Sequence, residues 1–90
     1  MSMFDSHHRQ LVAQGALLLD VRTQAEFHEG HVPHALNVPV QELAARLNEV
    51  GPPSRPVVVY CRSGGRSAQA AQLLSRAGYQ VRDIGPMSAW

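Results

Sequence analysis

Residues 57–60 read Val-Val-Val-Tyr, and the next seven, CRSGGRS, lead straight into the alanine- and leucine-rich run AQAAQLLSRAG. A strand of β-branched and aromatic residues that passes through a short glycine-rich turn into a helix is one step of a β–α alternation, and such steps pack as a parallel sheet covered by helices. The rest of the chain keeps the rhythm. ALLLDV (16–21) is a continuous apolar run too short for a helix, which suits a strand buried on both faces. TQAE (23–26) reads as a capping box that opens a short helix ending at Gly30. ALNVP (35–39) gives a second strand, and VQELAARLNEV (40–50) sets Leu43, Ala44, Leu47 and Val50 on one helical face. After the turn GPPSRP, the strand at 57–60 is followed by a helix over 66–78 with Ala70, Leu73, Leu74 and Ala77 inward and Gly78 as its stop. YQVRDI (79–84) closes as a strand, and DSHHRQLVAQG at the start predicts a helix with Asp5 or Ser6 as N-cap and Gly15 as terminator.

Ninety residues, 44% of them hydrophobic and 17% charged, make one domain of the ordinary globular class. A net charge of +1 supplies no basic field for nucleic acid. The single cysteine cannot close an internal disulfide, so the fold needs no oxidising compartment. MSMFDSHHRQ lacks the apolar core of a secretory signal, and no stretch approaches the length of a membrane span. The expectation is a soluble, cytoplasmic protein; a chain from which a leader had been removed would read the same.

Ligands of open parallel sheets gather at the carboxyl ends of the strands, and Cys61 is the first residue past such an end. The segment Cys61-Arg62-Ser63-Gly64-Gly65-Arg66-Ser67 is short and flexible enough to curl with its N–H groups inward, and the following helix adds its unpaired donors and dipole. Such a ring holds an anion and stabilises a thiolate beside its arginines. The plainer alternative is an inert cysteine at the end of a core strand. The glycines, the arginines and the helix start decide for the nucleophile.

LLLDVRTQAEFHEGHVPHALNVP, followed by VVVYCRSGGRSAQAAQLLSRAGYQV, resembles a single-domain rhodanese over roughly residues 16 to 85, through Asp20-Val-Arg22, Glu26-Phe27, Gly30-His31-Val32, Ala35, Asn37-Val-Pro39 and the Cys61 loop. The resemblance implies an α/β domain of three layers, a parallel sheet of four or five strands with helices on both faces. It implies sulfane-sulfur transfer: Cys61 attacks a small anionic donor such as thiosulfate, becomes a persulfide, and passes the outer sulfur to cyanide or to a thiol or protein acceptor. Arg62, Ser63, Gly64, Gly65, Arg66 and Ser67 would bind the substrate, the arginines attracting the donor. Neither a metal nor an organic cofactor is implied, and neither nucleic acid nor membrane is expected as a partner.

The chain departs from the family in three places. Only MSMF stands where the first edge strand usually precedes the helix, so a four-stranded sheet within a single domain over 1–90 is expected. IGPMSAW replaces a Gly-Gly pair and terminal helix, and His34 stands where many members have glycine. That histidine joins His28 and His31 at three-residue spacing, but Pro33 interrupts any helix that would bring the imidazoles together, so no metal site is expected. Asp20, Arg22 and Glu26 are expected to pin the loop as an ion-pair network, and Tyr60 and Trp90 to serve packing.

Two other functions use the same features. A phosphate- or arsenate-processing cysteine enzyme of this fold resembles Cys-x5-Arg, whereas Arg66 follows Cys61 by five positions, leaving the loop one residue short. A non-catalytic interaction module commonly lacks the cysteine that this chain keeps.

Overall fold

In the computed structural model, which describes residues 6–90, the chain runs α1 (Ser6–Ala13), β1 (Leu17–Asp20), α2 (Gln24–Glu29), β2 (Leu36–Asn37), 3-10 turns at Val40–Glu42 and Ala44–Arg46, α3 (Leu47–Val50), β3 (Val57–Cys61), α4 (Gly65–Arg76), β4 (Val81–Pro86) and a 3-10 turn at Met87–Ala89. The strands form one sheet in the order β2-β1-β3-β4, every pair parallel. MSMF lies outside the described residues, as does the cap expected at Asp5; Ser6, the first described residue, is already helical.

The two central strands show why their sequences carry no polar alternation. Leu17, Leu19, Val57, Val59 and Cys61 face one side, against Val38, Leu43, Val50, Ala70 and Leu74. Leu18, Val58 and Tyr60 face the other, where Leu11 and Val12 of α1 and Met87 and Trp90 cover them. With helices on both faces, every residue of β1 and β3 is buried, which supplies the main hydrophobic drive.

Topology fixes the place of the site. β2 lies on one side of β1, and the chain then returns to lay β3 on the other, so the crossovers diverge at the carboxyl ends of β1 and β3. That divergence leaves a crevice at the point where Asp20 and Cys61 end their strands. Asn37 fastens the β1 end, its side-chain amide donating to the carbonyls of Asp20 at 3.1 Å and Arg22 at 2.9 Å.

The helix expected over 40–50 is broken. Leu43 and Val50 are buried and Leu47 packs beside them, but Ala44 is exposed and Arg46 leaves helical geometry at φ −118°, ψ 23°. Arg46 bonds Glu42 and Glu49 together across the break at 2.8 Å each, which ties the turns from outside. The last strand begins two residues later than expected, at Val81, with Tyr79 buried beneath it. A bulge between Val59 and Tyr60 shifts the β3–β4 register and places Gly85 beside Tyr60. Gly85 takes φ +77° there, a conformation that favours glycine.

Candidate active site

Cys61 ends β3 with its side chain toward α4, and the next three residues form the turn into that helix. Gly64 makes the turn with φ +108°, which a residue with a Cβ rarely adopts, and its amide then donates to Cys61 Sγ at 3.0 Å. Ser67, one turn into α4 and fully buried, sets its hydroxyl 3.4 Å from the same sulfur and 3.1 Å from the Gly64 carbonyl oxygen. Burial pushes the Cys61 thiol up. Hydrogen bonds from Ser67, through hydroxyl and amide, and from the amides of Gly64 and Ser63 outweigh that push and hold it below its ordinary value of 9.0. The curl of inward N–H groups expected from the sequence is therefore centred on the sulfur. Cys61 itself has 0% exposure, so the resting sulfur lies at the bottom of the loop.

The three charged residues expected to form one network are split between two ion pairs, Asp20 with Arg22 and Glu26 with Arg66. Arg22 donates to Asp20 through Nε, at 3.1 Å to each carboxylate oxygen, and through Nη2 at 2.7 Å, with both residues buried. The same Nη2 reaches the Gly30 carbonyl at 2.7 Å and so anchors the end of α2 to the end of β1. Glu26 turns away from that pair to Arg66, whose terminal nitrogens donate to it at 2.6 and 3.0 Å. Arg66, expected to draw the donor, thus has both terminal nitrogens engaged. Glu26 also completes the expected capping box, accepting from the Thr23 amide at 2.9 Å while its own amide donates to the Thr23 hydroxyl. The Arg66 guanidinium, with this cap, holds Glu26 down to about 2. Arg62 stays 77% exposed, 4.0 Å from Glu26.

Beside the loop a cleft is lined by Arg22, Glu26, Glu29, Arg62, Met87 and Ser88. Glu29, Met87 and Ser88 escaped the sequence reading. The wall they form is held from behind, because the backbone oxygen of Trp90 accepts from Arg9 Nε at 2.6 Å and lies 3.2 Å from His8 Nε2. The Trp90 ring packs against His8 at 5.3 Å and Arg9 at 5.4 Å, and Tyr60 is buried with its hydroxyl accepting from the Val32 amide at 3.2 Å. Both aromatics serve packing. Of the three histidines, His31 stacks on Phe27 with ring centroids 3.6 Å apart, while His34 adopts φ +73°.

A buried thiol cradled by amides and a hydroxyl stands where the parallel sheet diverges, and comparison with known proteins shows the family to which such a domain belongs. The chain belongs to the rhodanese family: the model of the rhodanese-like domain matches residues 4–90. A sulfurtransferase of Allochromatium vinosum is 46% identical over 79 residues, covering 86% of this chain and 73% of its own length. The structure of a human single-domain sulfurtransferase is 34% identical with a TM-score of 0.71, over 92% of this chain and 85% of that one. A structure of an Escherichia coli rhodanese with anions is 32% identical with a TM-score of 0.78, over 84% of this chain and 92% of that one. These similarities establish rhodanese-type sulfur transfer as the chemistry of the relatives.

Proposed function

We propose that this protein is a single-domain sulfurtransferase that carries sulfane sulfur as a Cys61 persulfide. The observation that supports this most is the placement of the Gly64 amide and the Ser67 hydroxyl around Cys61 Sγ. The thiolate attacks the outer sulfur of thiosulfate or of a persulfide donor, the donor's S–S bond breaks, and sulfite or a thiolate leaves with the electron pair. The new S–S bond, about 2.05 Å long, carries the reactive sulfur farther from β3 than the covered resting thiol. Attack on that outer sulfur by cyanide or a thiol returns the Cys61 thiolate and yields thiocyanate or a new persulfide. Ser63, Gly64 and Ser67 supply donors to the negative sulfur, Gly65 opens α4, Arg62 meets the incoming donor, and Arg66 fixes the loop through Glu26. Asp20 and Arg22 support the frame. The one free thiol suits a reducing compartment such as the cytoplasm.

Incubation with thiosulfate followed by mass spectrometry tests this directly. One added sulfur on Cys61, absent in Cys61→Ser, is the expected result; an unmodified wild-type cysteine, or persistent thiosulfate-to-cyanide transfer by Cys61→Ser, overturns it. The loop spacing supports sulfur over phosphate, since a phosphoenzyme needs donors for three terminal oxygens and the loop is a residue short of Cys-x5-Arg. The same preparation is therefore expected to leave an aryl phosphate intact.

A further inference from the structure

Around the mouth of the Cys61 loop, two of the three guanidiniums are held by the chain's own carboxylates. Arg22 is bonded to Asp20, and Arg66 is held through both terminal nitrogens by Glu26. Arg62 stands 4.0 Å from the second oxygen of that same carboxylate. Glu29 lines the cleft with Arg22, Glu26 and Arg62. Of the three guanidiniums, Arg22 and Arg66 are thus closely paired with carboxylates of the chain, while Arg62 stays exposed at the edge of the same cleft. A cleft that gathers a small dianion does so with uncancelled positive field, which raises both encounter rate and local concentration. Here the planar fork of Arg66, suited to two parallel bonds with an anion, is filled by the chain's own carboxylate, itself pinned by the Thr23 amide.

We propose that Glu26 is a specificity-determining residue which, by occupying Arg66, selects against thiosulfate dianion and in favour of a persulfide donor carrying at most one negative charge. The inference rests on the sulfur-transfer function above and names its donor class. In the favoured reaction the Cys61 thiolate attacks the outer sulfur of R–S–SH and the bond between the two donor sulfurs breaks. R–S⁻ departs with the electron pair, and Cys61–S–SH forms with the proton retained or passed to the departing thiolate. Thiosulfate would instead have to release doubly charged sulfite into a mouth where the fork of Arg66 is already bound to Glu26. Glu26 touches no reacting atom and acts through Arg66.

Glu26→Gln removes the charge yet keeps the local fold, because glutamine completes the same capping box. The rate of one-sulfur addition to Cys61 is read by mass spectrometry at low ionic strength, with sodium thiosulfate and with 2-hydroxyethyl persulfide as donors. An added positive charge acts twice as strongly on a dianion as on a monoanion, so the thiosulfate-to-persulfide rate ratio is expected to rise about threefold or more in the variant. The rise should vanish in 1 M salt, where the Debye length falls to about 3 Å. An unchanged ratio, or a rise that salt does not remove, overturns the inference. Glu29→Gln removes an exposed charge from the same cleft without touching Arg66, so a rise as large as that in Glu26→Gln would overturn the inference; should Glu26→Gln fail to fold, the wild type decides, since faster loading by thiosulfate than by 2-hydroxyethyl persulfide would overturn it equally. Failure of the wild type to take sulfur from either donor overturns the sulfur-transfer function and this inference together; a failure seen only in the variants concerns donor selection alone.

Discussion

The Ser67 hydroxyl lies 3.4 Å from Cys61 Sγ and 3.1 Å from the Gly64 carbonyl oxygen, so its one proton can serve only one of them at a time. With the thiol protonated, Cys61 donates to Ser67 and Ser67 donates to Gly64. Once the thiol ionises, the hydroxyl turns its proton to the sulfur and joins the Gly64 amide in holding the charge.

Ser67→Ala is therefore expected to move the midpoint of the iodoacetamide rate profile to higher pH. It should also slow sulfur loading on the order of tenfold, the scale of one hydrogen bond to a charged group. Ser67→Thr retains the hydroxyl and should restore most of both. A profile unmoved in Ser67→Ala would show that the loop amides alone hold the thiolate.

Asp20 and Arg22 are buried together, so removing one leaves the other without a counter-charge. Asp20→Ala should cost about 3 kcal/mol or more in urea unfolding. Asp20→Ala with Arg22→Met should recover part of that loss, because no charge is then stranded. A double variant less stable than the single one would contradict this account.

His34 is exposed and stands alone among the described non-glycine residues in having positive φ. Replacement by glycine relieves a steric cost of about 1 kcal/mol, partly offset by the greater freedom of the unfolded chain. Thermal denaturation should show a higher midpoint for His34→Gly, by a few degrees in a domain of this size. A lower midpoint would mean that the imidazole contributes contacts which outweigh its strain.

Glu26 titrates in the folded protein at about 2, held down by the Arg66 guanidinium and the Thr23 amide, against an ordinary value of 4.5. Its contribution to stability is complete above the ordinary value and fades as pH falls from there through about 2. Thermal midpoints measured across that window should fall more steeply for wild type than for Glu26→Gln. Parallel curves would show the ion pair to be without weight in folding.

The sheet, its parallel sense and the cysteine at a strand end were all legible because each follows from local pattern: β-branched runs, glycine turns and helical spacing. The capping box at Thr23 and Glu26 was legible for the same reason, since its partners are three residues apart. The partner of Glu26 was not. Arg66 is forty positions away, and Arg22, the nearer guanidinium, was the natural choice until Gly30 and Asp20 are seen to claim it. The break at Arg46 was hidden because burial of Leu43 and Val50 satisfies a helical pattern whether or not the backbone stays helical between them. Met87 and Ser88 escaped because a short 3-10 turn has no periodic signature, and its position depends on Trp90 meeting α1.

The pairing of Leu17 with Val57 has a consequence for how the nucleophile comes into being. A parallel ladder between residues so distant in the chain closes late, because the loop entropy is lost before the contacts form. Until β1 and β3 join and α4 winds from Gly64, the Cys61 thiol has neither its amide ring nor its crevice and reacts as an ordinary cysteine. The activation of Cys61 thus matures with the tertiary structure, and a newly made chain acquires its cradled thiol only once folding is complete.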